Sequence, residues 1–378
     1  MRALLLRLED FRLLPFFVAV SMAAGIAIGN VLSISDFALT PPIDALKAIA
    51  AGTFDLTVPN AISLGVPIGL FAMMYPAMTN VRLGEVGVAL RSPRQLAVVL
   101  VFNYLVAPFL MLGLASVFVS DPELHTGLVL YGLAPCIAMV IIFTFLAKGN
   151  TPMALVFVAL NAVVQMALIP VYARLLIGTV SFDVGVVFES VVLYLGLPLA
   201  AGVLTRMAVV RRGGEAAMDG LKPILNAVSI LGLLFTLIVM FALKGDLIVG
   251  RPLIVLEMAV PMGLFFAAMF FTVLLIGWRL HFGYADAVAV AFNATGRDFE
   301  IAIAIAITAF TPTVALATVV GPLVEVPVML FLVWAAMRLR GWLFAGTSPA
   351  AGQPFAAQPT LDPGPVFAPV TAEDDEIV

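Results

Sequence analysis

Residues 291–307 read AFNATGRDFEIAIAIAI, a segment that is apolar at both ends and polar in its middle. Polar or small residues interrupt it within a few positions, at Asn293, Thr295, Gly296, Arg297, Asp298 and Glu300. They cannot all face lipid, because ionisable groups within a membrane span are costly and turn toward the protein interior or a cavity. The segment therefore predicts a membrane helix that is unwound at its centre, with backbone groups and carboxylates lining a cavity. A kink capped by an Arg297–Asp298 pair is the structural alternative.

The composition of the whole chain supports a membrane location for this segment. Of the 378 residues, 63% are hydrophobic and only 11% are charged, whereas soluble domains carry about 25% charged residues. The mean hydropathy is +1.15, and apolar runs long enough to cross a hydrocarbon core of ~30 Å recur along the chain. The sequence therefore predicts an all-α polytopic membrane protein. The first apolar run follows Arg2, Arg7 and Arg12 like a signal peptide, but its length and the lack of a cleavage pattern favour a retained helix.

About ten transmembrane spans are predicted, near residues 13–32, 58–79, 95–119, 124–147, 153–178, 185–208, 222–243, 252–276, 285–309 and 313–337. Cytoplasmic loops are enriched in Lys and Arg, and this rule tests the number of spans. With ten spans, 14 of the 19 basic residues fall on one side of the membrane, while Arg297 lies within a span. The alternation predicts a multi-pass protein of the bacterial cytoplasmic (inner) membrane with both termini in the cytoplasm.

The two halves of the chain echo each other. Residues 23–26 read AAGI in the first span and residues 200–203 read AAGV in the sixth, and a Thr-Pro pair opens the fifth span at Thr151 and the tenth at Thr311. A Thr cap followed by Pro is a common helix start, so chance recurrence is the alternative. A true repeat of five spans requires halves of opposite orientation, which is a transporter architecture with broken helices at the bilayer midplane. The predicted units are a first half over residues 1–180, a second half over 181–342, and a disordered, acidic, Pro/Ala-rich cytoplasmic tail over 343–378.

The fourth span is the counterpart of the ninth in this scheme. Residues 132–150 read GLAPCIAMVIIFTFLAKGN and contain the only cysteine of the chain. Pro135 removes a backbone donor and breaks the helix, and Cys136 follows at once. A buried cysteine is usually a small hydrophobe, which is the alternative here. Because the partner helix carries carboxylates, we favour a functional thiol, and a soft sulfur donor suits a thiophilic solute.

Other polar residues within spans are weaker candidates, since each could simply bridge helices by hydrogen bonds. Glu325 is the strongest of them because it lies between two prolines in GPLVEVPVML, residues 321–330; the others are Asn103, Asn161, Gln165 and Glu257. The histidines give no metal-ligand spacing, and no phosphate loop, nucleophile elbow or nucleic-acid signature is found. The sequence thus favours a transporter that needs no cofactor over an enzyme or a nucleic-acid-binding protein, with lipid as its surroundings.

The fourth-span stretch resembles a motif of arsenite efflux permeases of the arsenical-resistance type, in the bile acid:sodium symporter superfamily. DFEIAIAIAI from Asp298 and GPLVEVPVML from Gly321 are similar to two further motifs of that family. Weaker matches are PIGLFAMMYP from Pro67 and FNYLVAPFLM from Phe102, and the resemblance runs over about residues 10–340. The chain departs from the family pattern at Phe143-Thr144 and at Ala162.

This resemblance implies two inverted five-helix halves whose broken fourth and ninth spans cross. It also implies export of trivalent arsenite, and of antimonite, in exchange for a proton, with Cys136 and Glu300 most needed. Pro135 and Asn103 are placed with them at the expected substrate site, and Cys136 is the expected ligand of the As(III) metalloid. The expected coupling and helix-break residues are Asn293, Thr295, Arg297, Asp298 and Glu325. The alternatives are a sodium-coupled symporter of a small organic anion, in which Asn293, Asp298 and Glu300 bind the ion, and a non-transporting sensor.

Overall fold

The computed structural model describes residues 14–32, 58–79, 91–137, 139–177, 182–250 and 252–344. The regular elements within these ranges are all helical. They are α1 Leu14–Leu32, α2 Val58–Thr79, α3 Pro93–Phe118, α4 Pro122–Leu133, α5 Met139–Leu146, α6 Thr151–Leu176, α7 Val184–Val191 with its continuation Leu197–Gly250, α8 Pro252–Arg279, α9 Tyr284–Thr295, α10 Phe299–Ala309, α11 Pro312–Val319 and α12 Gly321–Leu343. The predicted tail from residue 345 and the basic residues Arg2, Arg7, Arg12, Lys47 and Arg82 lie outside the described residues.

Five helical stretches in the described part of the chain are long and apolar enough to cross a membrane. One of them, Val184–Ala242, has 59 residues, which at ~1.5 Å per residue would be about 90 Å long and far exceeds a bilayer core of ~30 Å. It therefore holds more than one span. Together with the helix composition, this confirms the prediction of an all-α polytopic membrane protein.

The fold reverses within α7 at a single glycine. Gly214 has a φ of 69°, a left-handed backbone conformation that glycine adopts without a steric cost. Before the kink, a Cβ on Gly202 would lie 2.7 Å from the backbone of Met78 in α2, and after it a Cβ on Gly232 would lie 2.8 Å from the backbone of Met73. A straight helix would separate these two glycines by about 45 Å, so α7 turns back on α2. The sixth and seventh predicted spans are thus joined by a helical corner instead of the loop expected over residues 209–221.

The predicted breaks of the fourth and ninth spans are both present. The fourth span is divided into α4, which ends at Leu133, and α5, which begins at Met139; the ninth is divided into α9, which ends at Thr295, and α10, which begins at Phe299. The tenth span changes only slightly at Val320, between α11 and α12, where the backbone keeps helical angles (φ −67°, ψ −20°), and Thr313–Leu343 is a single membrane-length stretch. Each break frees backbone groups that a continuous helix would satisfy.

The contacts around the broken spans are paired between the two halves. The first segment of the fourth span, α4, packs on α3 and on α11, and the first segment of the ninth, α9, packs on α8 and on α6. Helices α3 and α8 are the third and eighth spans, and α6 and α11 belong to the fifth and tenth. An inverted repeat pairs the third span with the eighth and the fifth with the tenth, so it predicts that α4 and α9 contact corresponding partners. The two Thr-Pro pairs differ in detail, because Thr311 is the N-cap of α11 whereas Asn150 caps α6, one residue before Thr151. The repeat and its unit boundaries stay a prediction.

Candidate functional site

The two helix breaks cross and bind each other through their backbones. Pro135 and Arg297 form an isolated antiparallel bridge. The N–H of Cys136 donates to the carbonyl of Gly296 at 3.0 Å, and the N–H of Asp298 donates to the carbonyl of Ala134 at 2.8 Å. Backbone freed by the breaks is thereby satisfied without water, as membrane depth requires. The lone thiol of the chain consequently lies beside the acidic start of α10.

Two half-helices begin at this crossing, α5 after the first break and α10 after the second. The N-cap of α10 is Asp298, whose carboxylate accepts from the N–H of Ile301 at 3.1 Å, and Glu300 lies in the first turn. Helix N-termini carry a partial positive charge that favours anions and lone pairs. Glu300 is 7% exposed, whereas Asp298 is 1% exposed. The Glu300 carboxyl is therefore the more accessible of the two neighbouring acids.

Arg297 is fully buried and makes no use of the neighbouring aspartate. Its guanidinium donates to Asn103 Oδ1 at 2.7 Å, to the carbonyl of Thr295 at 3.2 Å, to the carbonyl of Gly132 at 3.4 Å and to the carbonyl of Ala294. The guanidinium carbon also lies 5.3 Å from the centre of the Phe265 ring, a cation–π distance. The structural alternative of an Arg297–Asp298 pair is therefore wrong: Asp298 caps α10, and Arg297 ties the ends of α4 and α9 together.

Asn103 reaches the crossing because α3 is locally widened. Residues Phe102–Val106 form a π-helical turn, a feature that is frequent at functional sites, and Asn103 lies within it. Its Nδ2 donates to the carbonyl of Asn293 at 3.1 Å and to Oδ1 of Asn161 at 3.4 Å, while its Oδ1 receives Arg297. Asn103 therefore connects α3, α6 and α9 at the level of the breaks.

Glu325 joins the tenth span to both broken helices. Its Oε2 accepts from the hydroxyl of Tyr131 in α4 at 2.8 Å, and its Oε1 accepts from the backbone N–H of Arg297 at 3.3 Å. Both Glu325 and Tyr131 are buried. Sequence reasoning identified Glu325 but missed Tyr131, because a tyrosine within an apolar helix reads as packing. The spacing YGLAPC, which puts Tyr131 near the break at Pro135, was the available signal.

Several buried polar atoms near the crossing have no hydrogen-bond partner among the described residues. They are Asn161 Nδ2, Gln165 Oε1 and Nε2, Asn293 Oδ1, Thr295 Oγ1 and Asp298 Oδ2. Most buried polar groups in proteins are paired, and an unpaired one costs free energy. Such a concentration is typical of a site that takes a polar solute or water. Asn161 and Gln165, which the sequence ranked as weaker candidates, thus belong with the predicted residues.

The structure brings all nine predicted site residues to the crossing or its immediate neighbours. Cys136 is 2% exposed and lies within electrostatic reach of Tyr131 and Arg297. In the described residues no group of three or more His, Cys, Asp and Glu side chains is placed to hold a metal ion. A thiophilic solute at the crossing would meet the single thiol of the chain beside the unwound backbone and the acidic start of α10.

Gly296 provides a direct test of how close the breaks must be. A Cβ at this position would lie 2.4 Å from Val140 Cγ1 and 3.0 Å from Cys136 Cβ. Overpacking of this kind costs about 1–3 kcal/mol, so Gly296→Ala is expected to lower the melting temperature of the purified protein and to slow transport. Gly113→Ala is the matched control, because a Cβ at Gly113 meets nothing within 4 Å. Equal melting temperatures for the two variants would show that the crossing is looser than the geometry indicates.

Known proteins match the sequence over most of its length. Residues 67–251 match the model of the Sodium Bile acid symporter family. The chain is 34% identical over 347 residues to the arsenical-resistance protein Acr3 of Corynebacterium glutamicum, covering 88% of this chain and 90% of that protein. It is 35% identical over 350 residues to the Acr3 protein of Alkaliphilus metalliredigens, covering 88% and 93%, and 32% identical over 354 residues to an uncharacterized transporter of Synechocystis, covering 87% and 88%.

Proposed function

The chain belongs to the Acr3 arsenical-resistance family of the bile acid:sodium symporter superfamily, and on this basis we propose that it exports trivalent arsenite from the cell in exchange for protons. The relatives are named for arsenical resistance, which supports a transport role for this multi-pass membrane protein. Antimonite, whose Sb(III) centre is also soft and thiophilic, is the second substrate of the proposal.

The observation that carries the proposal is the contact between the two breaks. The N–H of Cys136 donates to the carbonyl of Gly296 at 3.0 Å, and Gly296 precedes Glu300 by four positions in the sequence. The only thiol of the chain is therefore held beside the start of α10, where Glu300 lies. Arsenic(III) is soft and prefers thiolate ligands, while its hydroxyl groups need hydrogen-bond partners. The unpaired atoms Asn293 Oδ1, Thr295 Oγ1 and Asp298 Oδ2 supply such partners. A neutral As(III) hydroxide therefore fits the chemistry of this crossing.

Glu300 is the proposed proton carrier. It is the most exposed carboxylate of the crossing, since Glu325 is 2% and Asp298 is 1% exposed. Glu325 and Asp298 also hold structural hydrogen bonds, to Tyr131 and to the N–H of Ile301 respectively. Release of a proton from Glu300 would leave a charge at a helix N-terminus, where it is stabilised.

A sodium-coupled symporter of a small organic anion is the second candidate. The observation in its favour is that the unpaired atoms of Asn293, Thr295 and Asp298 are oxygens, the ligand type that hard cations prefer. The two candidates differ in the direction of transport, in the substrate and in the driving ion. A sodium gradient imposed without a pH gradient separates them.

The orientation of the protein completes the proposal. The excess of Lys and Arg on one side of the predicted spans supports cytoplasmic termini. The division into halves over residues 1–180 and 181–342 and a tail over 343–378 also belongs to the proposal. The exchange of helix partners between the fourth and ninth spans supports the two halves.

Expression in a bacterial strain that lacks its own arsenite exporters tests the function. Cells that carry the protein are expected to accumulate less As(III), and less Sb(III), than cells with the empty vector, and to grow at higher arsenite concentrations. The Gly113→Ala variant should behave like the wild type, because its added methyl group meets no neighbour. Unchanged accumulation, with the protein found in the membrane, would contradict arsenite export and favour the sodium-coupled candidate.

A further inference from the structure

Arg297 is a buried positive charge whose guanidinium hydrogen bonds all go to uncharged groups. Its side chain has no exposed surface, and its guanidinium donates to three backbone carbonyls and one amide oxygen. Glu325, the carboxylate nearest to it along these contacts, accepts from the backbone N–H of Arg297 and not from the guanidinium. A buried charge is normally paired with an opposite charge or neutralised. Packing alone therefore gives no reason for an arginine at this position.

The four acceptors of the guanidinium form a recognisable set. Gly132 lies at the C-terminal end of α4, and Ala294 and Thr295 lie at the C-terminal end of α9. The last carbonyls of a helix have no partner within the helix and carry its partial negative charge. Asn103 adds a side-chain oxygen from the π-helical turn of α3. Oxygens from half-helix C-termini and unwound backbone are the groups that coordinate sodium in transporters built from broken helices.

We propose that Arg297 acts as a fixed internal cation, which occupies the oxygen-lined position between the ends of α4 and α9 that a sodium ion would otherwise fill and so makes transport independent of sodium. The inference rests on the proposed function and specifies its coupling. With this positive charge covalently held, no external cation is needed to hold the two half-helices together. The group that takes up and releases the coupling proton is then Glu300, at the start of α10.

The planar guanidinium is suited to this role because it has five N–H donors. It makes four hydrogen bonds, one to each of the oxygens described above. Its face is covered by Phe265, whose ring centre lies 5.3 Å from the guanidinium carbon. A lysine keeps the charge but has only three donors on a single nitrogen. Arg297→Lys should therefore preserve sodium independence while losing part of the rate.

Removal of the side chain should expose the site to small cations. In sodium-free choline medium, Arg297→Ala is expected to transport As(III) into everted vesicles at least about tenfold more slowly than the wild type, because several buried acceptors lose their partner. Sodium chloride or a low concentration of guanidinium chloride should restore a substantial part of that rate in Arg297→Ala. Neither salt should accelerate the wild type. An arginine with only a structural role would give a variant that no cation restores.

A second measurement does not depend on arsenite. Sodium or guanidinium, added to the purified protein in detergent, should raise the melting temperature of Arg297→Ala and leave that of the wild type unchanged, with choline as the control for ionic strength. A cation response in this assay supports the fixed-cation role even if the wild type moves no arsenite, whereas that failure would overturn the proposed function. Sodium-dependent transport by the wild type, or full-rate transport by Arg297→Ala in choline, would overturn the inference. If Arg297→Ala does not reach the membrane, the test rests on Arg297→Lys. Sodium-independent transport by Arg297→Lys supports the fixed-cation role of Arg297, and sodium-dependent transport contradicts it.

Discussion

Replacement of Cys136 by serine is expected to abolish arsenite export while the protein remains in the membrane. The bond that fixes this residue at the crossing comes from its backbone N–H, which donates to the carbonyl of Gly296 at 3.0 Å, so the substitution leaves it intact. Serine keeps the size of the side chain but replaces a soft sulfur donor by a hard oxygen. Loss of even an outer partner of a metal ligand costs about 10–100-fold, and loss of the only thiol of the chain should cost more.

The measurement is As(III) uptake into everted membrane vesicles, normalised to the amount of protein. Ala306→Ser is a matched control, because it also places a hydroxyl at a fully buried position. Ala306 lies within α10, about two turns of helix from the crossing, where the hydroxyl can bond to the preceding turn. Since the chain has one cysteine, alkylation of the purified protein reports on Cys136 alone, and arsenite should slow it. Wild-type uptake by Cys136→Ser would show that sulfur takes no part in transport.

Much of the fold could be predicted from the lengths of the apolar runs and from the polar residues that interrupt them, because a membrane tolerates few departures from this pattern. A span needs about 20 apolar residues, so the two breaks at Pro135 and within residues 293–300 stood out against long apolar runs, and both are present. The corner at Gly214 falls in the gap between the predicted spans 185–208 and 222–243, where a loop was expected; Arg206 and Glu215 lie on either side of it. Those two residues in fact form an ion pair at 2.8 Å across the corner, and helical backbone continues through a glycine that turns the chain.

The site was only partly predictable, for a physical reason. A polar residue that interrupts an apolar run can be recognised from the sequence alone. This pattern identified Cys136, Arg297, Asp298 and Glu300. The partner of Arg297 was not predicted, because sequence proximity suggested only Asp298, as the alternative, whereas the guanidinium reaches Asn103, 194 positions away. Contacts between distant spans depend on how the breaks cross, and the sequence of either span alone does not specify that geometry.

The last prediction concerns the three carboxylates around the crossing, which are expected to separate into one that transfers protons and two that hold the structure. Asp298 accepts from the N–H of Ile301 at 3.1 Å as the N-cap of α10, and Asn is as good a cap as Asp. Asp298→Asn should therefore keep the fold and the response to a pH gradient, while the change at Oδ2, a proposed partner of the substrate, should lower the rate of uptake. Glu325 accepts from Tyr131 and from the N–H of Arg297, so Glu325→Gln loses part of one contact and should mainly lower the melting temperature.

Glu300→Gln should behave differently, because glutamine preserves the shape of the side chain at its partly accessible position but has no proton to exchange. We expect this variant to insert normally and to lose As(III) uptake driven by an imposed pH gradient, in everted vesicles free of sodium. Asp298→Asn, measured in the same vesicles, controls for the loss of a neighbouring carboxylate. Wild-type uptake by Glu300→Gln with an undiminished response to the pH gradient would assign coupling to another group. Uptake by the wild type that is driven by a sodium gradient alone, without a pH gradient, would contradict proton exchange. Glu300 would then bind sodium during transport instead of exchanging a proton.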